Sequence, residues 1–437
     1  MKTLLKNGRL IDPASKIDAL HDILIDNGVI AAIEKPKSLK AEKGTEVIDC
    51  AGLVVAPGFV DLHVHLREPG QTHKETIRTG TMAAAAGGFT TVCAMPNTTP
   101  VNDSVEITAW MQDADRGASV HVLPVTAATI GSMGEKLTDY AALKRAGAVA
   151  VSDDGKPILG DSIMRAALVL AAKNKLPVSQ HAEDTRLTGG CSMHAGDVSF
   201  RLGLRGMTVE AESSIVERDI RLCEEIERKE KLRPHLHVQH VSTERALETI
   251  RAAKKRGLHV TCEVAPHHLT LTDEAIAETG GGYNTHAKMN PPLRPESDRQ
   301  ACIAGLLDGT VDCIATDHAP HAHHEKNVEF ERAPNGITGL ETALGLALRI
   351  LHAQHGLSLM DTLCLLTSGP AEVFSLTRAG RCVIGQSADL TLFEPATVYP
   401  YDVNTSFSKS RNTPFHEMAM QGRVRHTLVG GHTAFHL

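Results

Sequence analysis

The hydrophobic pattern changes character twice along the chain. Residues 3–33 alternate apolar and polar positions around two Asn-Gly pairs, Asn7-Gly8 and Asn27-Gly28, a spacing that predicts β-hairpins turning at those pairs. From residue 53 the alternation gives way to short apolar runs separated by helical stretches. Eight runs read as strands: 53–65, 90–95, 119–125, 148–153, 177–182, 235–241, 259–265 and 311–317. Helical segments follow over 73–87, 161–174, 209–230, 243–256 and 297–308. Residues 386–393 and 422–436 then return to the strand-like pattern of the start.

Alternating strand and helix imply a parallel sheet. Eight such units over about 270 residues suit a closed (β/α)8 TIM-type barrel, which typically takes about 250. A doubly wound sheet would call for a GxGxxG turn after an early strand, and none occurs there. Neither terminal β segment is long enough to bury a core alone. The expected organisation is therefore a small β module assembled from residues 1–54 and 376–437 around a catalytic barrel of residues 55–375.

Composition narrows the classes. In 437 residues, 42% hydrophobic and 22% charged, there is enough apolar material for a large core. A net charge of −7 and the absence of basic runs argue against nucleic-acid or anionic-membrane partners. Nine cysteines with no CxxC pair read as reduced thiols. With no signal core and no 18-residue apolar run, a soluble cytoplasmic protein is expected. Histidine is the outlier: 24 copies in a chain only 3% aromatic. It is the commonest metal ligand, so the excess directs attention to metal chemistry.

Barrel enzymes carry their chemistry at the C-terminal strand ends, and ligand-type residues fall there. The first run ends Asp61-Leu62-His63-Val64-His65, where His63 and His65 share a face. The fourth ends at Asp153-Asp154-Gly155, the fifth at His181, the sixth at His240 and the eighth at Asp317. Any one His is more often packed or solvated than bound to metal. Six ligand-type residues on five strand ends suit one or two zinc-like ions. Strand parity separates His237 from His240, and adjacency separates His267 from His268. His235, His237, His267, His268, His323 and His324 are accordingly read as structural.

These residues carry a resemblance. The VDLHVH run (60–65), His181, His240 and Thr316-Asp317-His318 resemble the amidohydrolase superfamily. His65-Leu66-Arg67-Glu68-Pro69-Gly70, Met95-Pro96-Asn97-Thr98, His181-Ala182-Glu183-Asp184, Asn290-Pro291-Pro292-Leu293-Arg294 and Asp317-His318-Ala319-Pro320-His321 look, more narrowly, like the long bacterial class of dihydroorotases, class I. The resemblance implies that His63, His65 and Asp317 hold one zinc ion, that His181 and His240 hold a second, and that Asp154 bridges them. Many superfamily members bridge with a carboxylated lysine, which is missing here. It implies reversible closure of N-carbamoyl-L-aspartate to L-dihydroorotate in pyrimidine (UMP) biosynthesis, through a metal-bound hydroxide and Asp317 as general acid and base.

Arg67, two residues beyond His65 and on the same side of the chain if the strand geometry continues, is suited to the substrate carboxylate, with Asn97 as a further donor. The resemblance adds His65, Asn290, His321, Asn335 and Gly336 as substrate contacts. It also raises a homodimer and association with aspartate transcarbamoylase. Two alternatives stand beside this reading. Dihydropyrimidinases, hydantoinases and allantoinases act on substrates lacking that carboxylate, and a non-catalytic transcarbamoylase partner would be expected to lose ligands. Residues 318–336, polar and without period, have the character of a lid.

Overall fold

The structure is a computed structural model describing residues 2–277 and 282–437. Its strands in chain order are β1 (Lys2–Asp12), β2 (Ile17–Asp26), β3 (Val29–Glu34), β4 (Glu46–Asp49), β5 (Val54–Pro57), β6 (Phe59–Val64), β7 (Phe89–Ala94), β8 (His121–Thr126), β9 (Ala150–Val151), β10 (Val178–Gln180), β11 (Met193–His194), β12 (Gly206–Met207), β13 (Leu236–Val238), β14 (Val260–Val264), β15 (Cys313–Ile314), β16 (Leu390–Pro400), β17 (Ala419–Val429) and β18 (His432–His436). β6 to β10 and β13 to β15 form an eight-stranded sheet in chain order. All its paired neighbours are parallel. It closes on itself through the Val64–His318 bridge, with His65 N donating to His318 O at 2.9 Å.

The second large sheet runs β18-β17-β16-β5-β1-β2-β3, with β4 on β1. Both chain ends thus share one sheet, because β16 pairs antiparallel with β5. Its core is Leu5, Leu10, Ile23, Ile25, Ile30, Val55, Leu390, Leu392 and Leu428. The apolar run 53–65 feeds both sheets and divides at Gly58. A Cβ there would lie 2.0 Å from Thr90 Oγ1, so only glycine lets the chain pass.

One of the two predicted Asn-Gly hairpins is absent. Asn27-Gly28 turns β2 into β3, with Asp26 paired to Val29 and both turn residues at positive φ. Asn7-Gly8 instead lies inside β1 as a register shift between Leu5 and Gly8. Asn7 is left-handed, but its N–H donates to Asp22 and its amide to Asp49, so the conformation bends a strand. The reversal falls after it, at residues 13–16.

The helices form close to their expected places, and local chemistry sets their starts. Ile77–Ala86 begins at Thr76, whose hydroxyl caps Thr79 N in a capping box. Glu244–Lys255 begins at Thr243 in the same manner, without the box. Strands are shorter than the apolar runs, β9 and β15 reaching only two residues each. Residues are lost at both ends, and at the C-terminal ends of β10, β13 and β15 the chain leaves the ladder to present side chains. Inside the barrel Val60, Leu62, Cys93, Met95, Val125, Ala150, Cys313 and Ala315 pack together, closed below by Ala371, Val373 and Phe374. The barrel is a filled core, with chemistry possible only at its rim. Among the described residues no helix is long and apolar enough to cross a membrane.

One buried acid couples this scaffold to pH. Glu341 accepts hydrogen bonds from Phe407 N at 2.6 Å, Ser406 Oγ at 3.1 Å and Tyr401 Oη at 3.3 Å. Burial pushes its carboxyl up from 4.5 to about 7. Between those values the folded protein keeps a proton that the unfolded chain has released, so this group makes stability fall as pH rises, and its cost is complete above 7. Gln is isosteric with the protonated acid and can keep all three contacts. We expect the melting temperature of Glu341→Gln, relative to the parent, to climb between pH 5 and pH 8. A difference that stays flat with pH would refute this account of Glu341.

Candidate metal centre and substrate cavity

At the C-terminal rim the predicted ligands converge. His65 Nε2 lies 3.0 Å from Asp317 Oδ1, and His63 Nε2 lies 3.5 Å from both Asp317 Oδ1 and Asp154 Oδ1. His65 Nε2 is 3.5 Å from Asp154 Oδ2, and His181 Nδ1 is 3.7 Å from Asp154 Oδ1. The His181 Nδ1 and His240 Nε2 atoms approach to 2.9 Å. All six residues are buried. Three overlapping triads have ligand atoms within 4.8 Å of one another: His63, His65 and Asp154; His63, His240 and Asp317; Asp154, His181 and His240.

The outer ring nitrogens explain why the inner ones are free. His63 Nδ1 is 2.7 Å from Glu263 Oε1, His65 Nδ1 is 2.8 Å from Asn97 Oδ1, and His181 Nε2 is 2.9 Å from Glu183 Oε2. An acceptor on the outer nitrogen holds the ring proton there and turns a lone pair inward, as metal-ligating imidazoles require. His63 Nε2 is a buried nitrogen without a hydrogen-bond partner. Burial opposes charge on Asp154, yet the imidazoles, His63 first, hold its carboxyl well below the usual range. Burial and the neighbouring His181 and His63 push His240 well below its ordinary value, leaving it neutral. Against the pull of burial, Asp317 and Asp154 push His63 well above its ordinary value and Glu183 pushes His181 up, so the carboxylates call for positive charge among these rings, which a divalent cation would supply.

Alternation separates the two neighbouring aspartates. Asp154 turns toward the imidazoles, whereas Asp153 accepts from Thr129 N at 3.0 Å and from the Thr129 hydroxyl. Parity fails at His240. His237 contacts Phe374 and Gln239 contacts Met95, both barrel-interior residues, so strict alternation would send His240 outward. His240 instead takes a left-handed φ of 30° and swings in. His237 and His240 therefore both reach the interior, and the parity used to separate them does not hold. They are joined through Glu263, whose Oε2 lies 3.0 Å from His237 Nε2 and whose Oε1 lies 3.3 Å from His240 N. Asp317 and Arg67 are left-handed too, at φ 45° and 59°. Three site residues thus sit in a region non-glycine residues seldom occupy.

His267 and His268 are also not strand neighbours. They lie in a short helix, Pro266–Thr270, with both rings buried and His268 Nε2 3.0 Å from Pro291 O. His323 falls in another short helix, His323–Lys326, which gives loop 318–336 structure of its own. Lys326 anchors that loop, donating to Thr285 O at 2.9 Å and Pro334 O at 2.7 Å.

Beside the metal ligands lies a cavity of about 290 Å³, lined by Arg67, Asn97, Asn290, His321 and Asn335 together with His65, Asp154, His181, His240 and Asp317. Gly336, although expected as a contact, is not among the lining residues. Arg67 does not reach the cavity by continuing a strand, since β6 stops at Val64. Its left-handed backbone turns the guanidinium in, where Nε donates to Pro320 O at 3.1 Å and Nη2 lies 3.4 Å from His321 Nε2. Asn97 Nδ2 donates to Asp154 Oδ2 at 3.0 Å, and Asn290 Nδ2 to Glu183 Oε2 at 2.8 Å. A larger cavity, about 580 Å³, lies at the opposite end near His235 and His259. Those two rings stack at 3.9 Å, which aims no lone pairs at a common point.

Glu263 and Glu183 escaped the sequence reading. Glu183 stands within the HAED run, and Glu263 is an acid inside an apolar strand. That second signal was available: a charge in a buried strand needs a partner.

The comparisons agree with the geometry. The family described as Dihydro-orotase-like matches residues 52–246. A dihydroorotase of Syntrophotalea carbinolica is 48% identical over 439 residues, covering 100% of both chains. Another, of Desulforapulum autotrophicum, is 45% identical over 98% of this chain and 97% of its own. Among solved structures, an L-hydantoinase (dihydropyrimidinase) from Arthrobacter aurescens superposes with a TM-score of 0.83 at 25% identity, over 99% of this chain and 95% of its own. A dihydropyrimidinase from Brevibacillus agri gives 0.83 at 22%, which speaks to the fold alone. With full-length identity to the first group near one half, the chain belongs to the dihydroorotase family of cyclic amidohydrolases.

Proposed function

We propose that this cavity interconverts N-carbamoyl-L-aspartate and L-dihydroorotate plus water, a step of de novo pyrimidine synthesis. The observation that carries the reading is a guanidinium, Arg67, buried beside a four-imidazole, two-carboxylate cluster. We assign His63, His65 and Asp317 to one zinc ion, His181 and His240 to a second, and Asp154 to both. When bound, such ions lower the pKa of a coordinated water toward neutrality and withdraw electron density from an amide carbonyl.

The chain's residues do the rest. In ring opening Asp317 accepts the proton of the attacking water and delivers it to the departing ring nitrogen, and in closure the transfers reverse. Arg67 holds the substrate carboxylate, with His321 and the Asn335-Gly336 backbone beside it. Asn97 and Asn290 offer amide groups to the ring's polar edge, while Asn97 Oδ1 fixes His65 and Asn290 Nδ2 donates to Glu183, the acid that fixes His181. A cytoplasmic location suits nine free thiols. Dimerisation and association with aspartate transcarbamoylase rest on the family resemblance alone.

The test is a substrate panel. The protein should turn over dihydroorotate and carbamoyl-aspartate well above dihydrouracil, hydantoin or allantoin. Arg67→Ala should lower kcat/KM for dihydroorotate by about 10²-fold, as expected when a buried charge loses its partner. Equal or faster turnover of the substrates without a carboxylate would overturn the assignment.

A further inference from the structure

β16 and β17 pair as far as Pro400–Ala419, yet residues 401–418 leave the sheet before the chain returns. A direct hairpin would need only a few residues. The excursion runs to the barrel rim and is fastened there at two points. At one, Glu75, buried in the segment following Arg67, accepts from Lys409 N at 3.0 Å and from the Ser408 hydroxyl. At the other stands Asn412, 2% exposed.

Both amide hydrogens of Asn412 and one lone pair of its oxygen are spent on main-chain atoms beside the substrate contacts. Its Oδ1 accepts from His321 N at 2.9 Å, and its Nδ2 donates to Ala319 O at 2.9 Å and Gly336 O at 3.0 Å. Its own carbonyl accepts from Thr338 N at 3.0 Å. One side chain thus clamps two strands of backbone, 319–321 and 336–338, which otherwise meet at the His318–Ile337 bridge and the bond from Ala319 N to Ile337 O. His321 and the Asn335-Gly336 backbone hang from that seam.

We propose that Asn412 is a positioning residue for substrate recognition: the terminal β module reaches the backbone behind the cavity wall and sets the spacing of the His321 and Gly336 segments through this amide. It touches neither the metal ligands nor the reacting atoms, so it governs how well the substrate is held and leaves the chemical step alone. The inference rests on the substrate contacts proposed above.

The experiment compares the full-length parent with Asn412→Ala and Asn412→Asp in the metal-loaded protein. Asn412→Ala should raise KM for dihydroorotate about tenfold, with kcat within about threefold and metal content unchanged. Asn412→Asp keeps the acceptor for His321 N but turns an oxygen toward two carbonyls, so its KM should rise at least as far. An unchanged KM, or loss of kcat and metal together, would overturn the proposal. If Asn412→Ala is insoluble, Gly336→Ala decides. Its Cβ would press 2.6 Å from Ala319 O and 2.8 Å from His321 Cδ2, opening the same seam from the other side. A raised KM supports the clamp, and an unchanged one removes it. A parent protein inactive on dihydroorotate would sink the functional reading instead, and that outcome is read before any variant is made.

Discussion

Asp317→Asn is expected to lower kcat by about 10³-fold or more while the protein folds and melts normally. Asn is the stringent substitution here, because Asp317 holds a φ of 45° and Asn is among the few side chains that tolerate the left-handed region. Shape and backbone are therefore kept, and only the ability to accept and return a proton is removed, together with one negative charge. General acid–base transfer alone contributes about 10² to 10⁴-fold. The charge lost 3.0 Å from His65 Nε2 adds to that. Turnover of dihydroorotate measured alongside metal content separates the two roles. Unchanged metal with kcat lost assigns Asp317 to proton transfer, and metal lost in step with kcat makes it a ligand only. A variant within tenfold of the parent would remove Asp317 from the mechanism.

Stripping the metal with a chelator should abolish activity and lower the melting temperature by several degrees, with both restored by zinc. The imidazole cluster predicts the second effect as firmly as the first. Without a cation, His63 Nε2 is a buried nitrogen with no partner, and Asp154 and Asp317 share one confined site. A ligand present at about 1,000 times its dissociation constant stabilises the folded state by about 4 kcal/mol. Because Glu263, Asn97 and Glu183 hold the rings in place, the stripped protein should stay folded and reload. Full activity in protein shown by elemental analysis to be metal-free would defeat the proposed chemistry.

Much of this was legible in the sequence, and the misses share a cause. The strand–helix alternation gave the barrel because each parallel strand buries both faces and so reads as a short apolar run. His63, His65, Asp154, His181, His240 and Asp317 were found because strand ends in such a fold converge on one rim. What failed was geometry beyond the last ladder residue. Period-2 reasoning assumes extended backbone, and it breaks at His240, Asp317 and Arg67, whose φ values are positive. Asn7 misled for the same reason, since a left-handed residue that usually turns a chain here bends a strand. Glu263 and Asn412 act through partners far away in sequence, 200 residues for the Glu263–His63 contact, and local pattern carries no information about such pairs; Glu183 lies only two residues from His181, inside the HAED run, where nothing local tells an orienting acid from a solvated one.

The pairing of β5 with β16 has a temporal consequence. β5 ends at Pro57 and β16 begins at Leu390, so about 330 residues must be made before the edge of β5 meets its partner. At about 5–20 residues per second, that interval is roughly 20–70 s. Throughout it the nascent chain carries an open strand edge bearing Val54 and Val55, the kind of surface on which chains pair with the wrong neighbour. Asn412 emerges later still. The rim therefore cannot be completed before the chain past Asn412 has been made, and the chain's vulnerability during synthesis is set by the order of its strands as much as by its final stability.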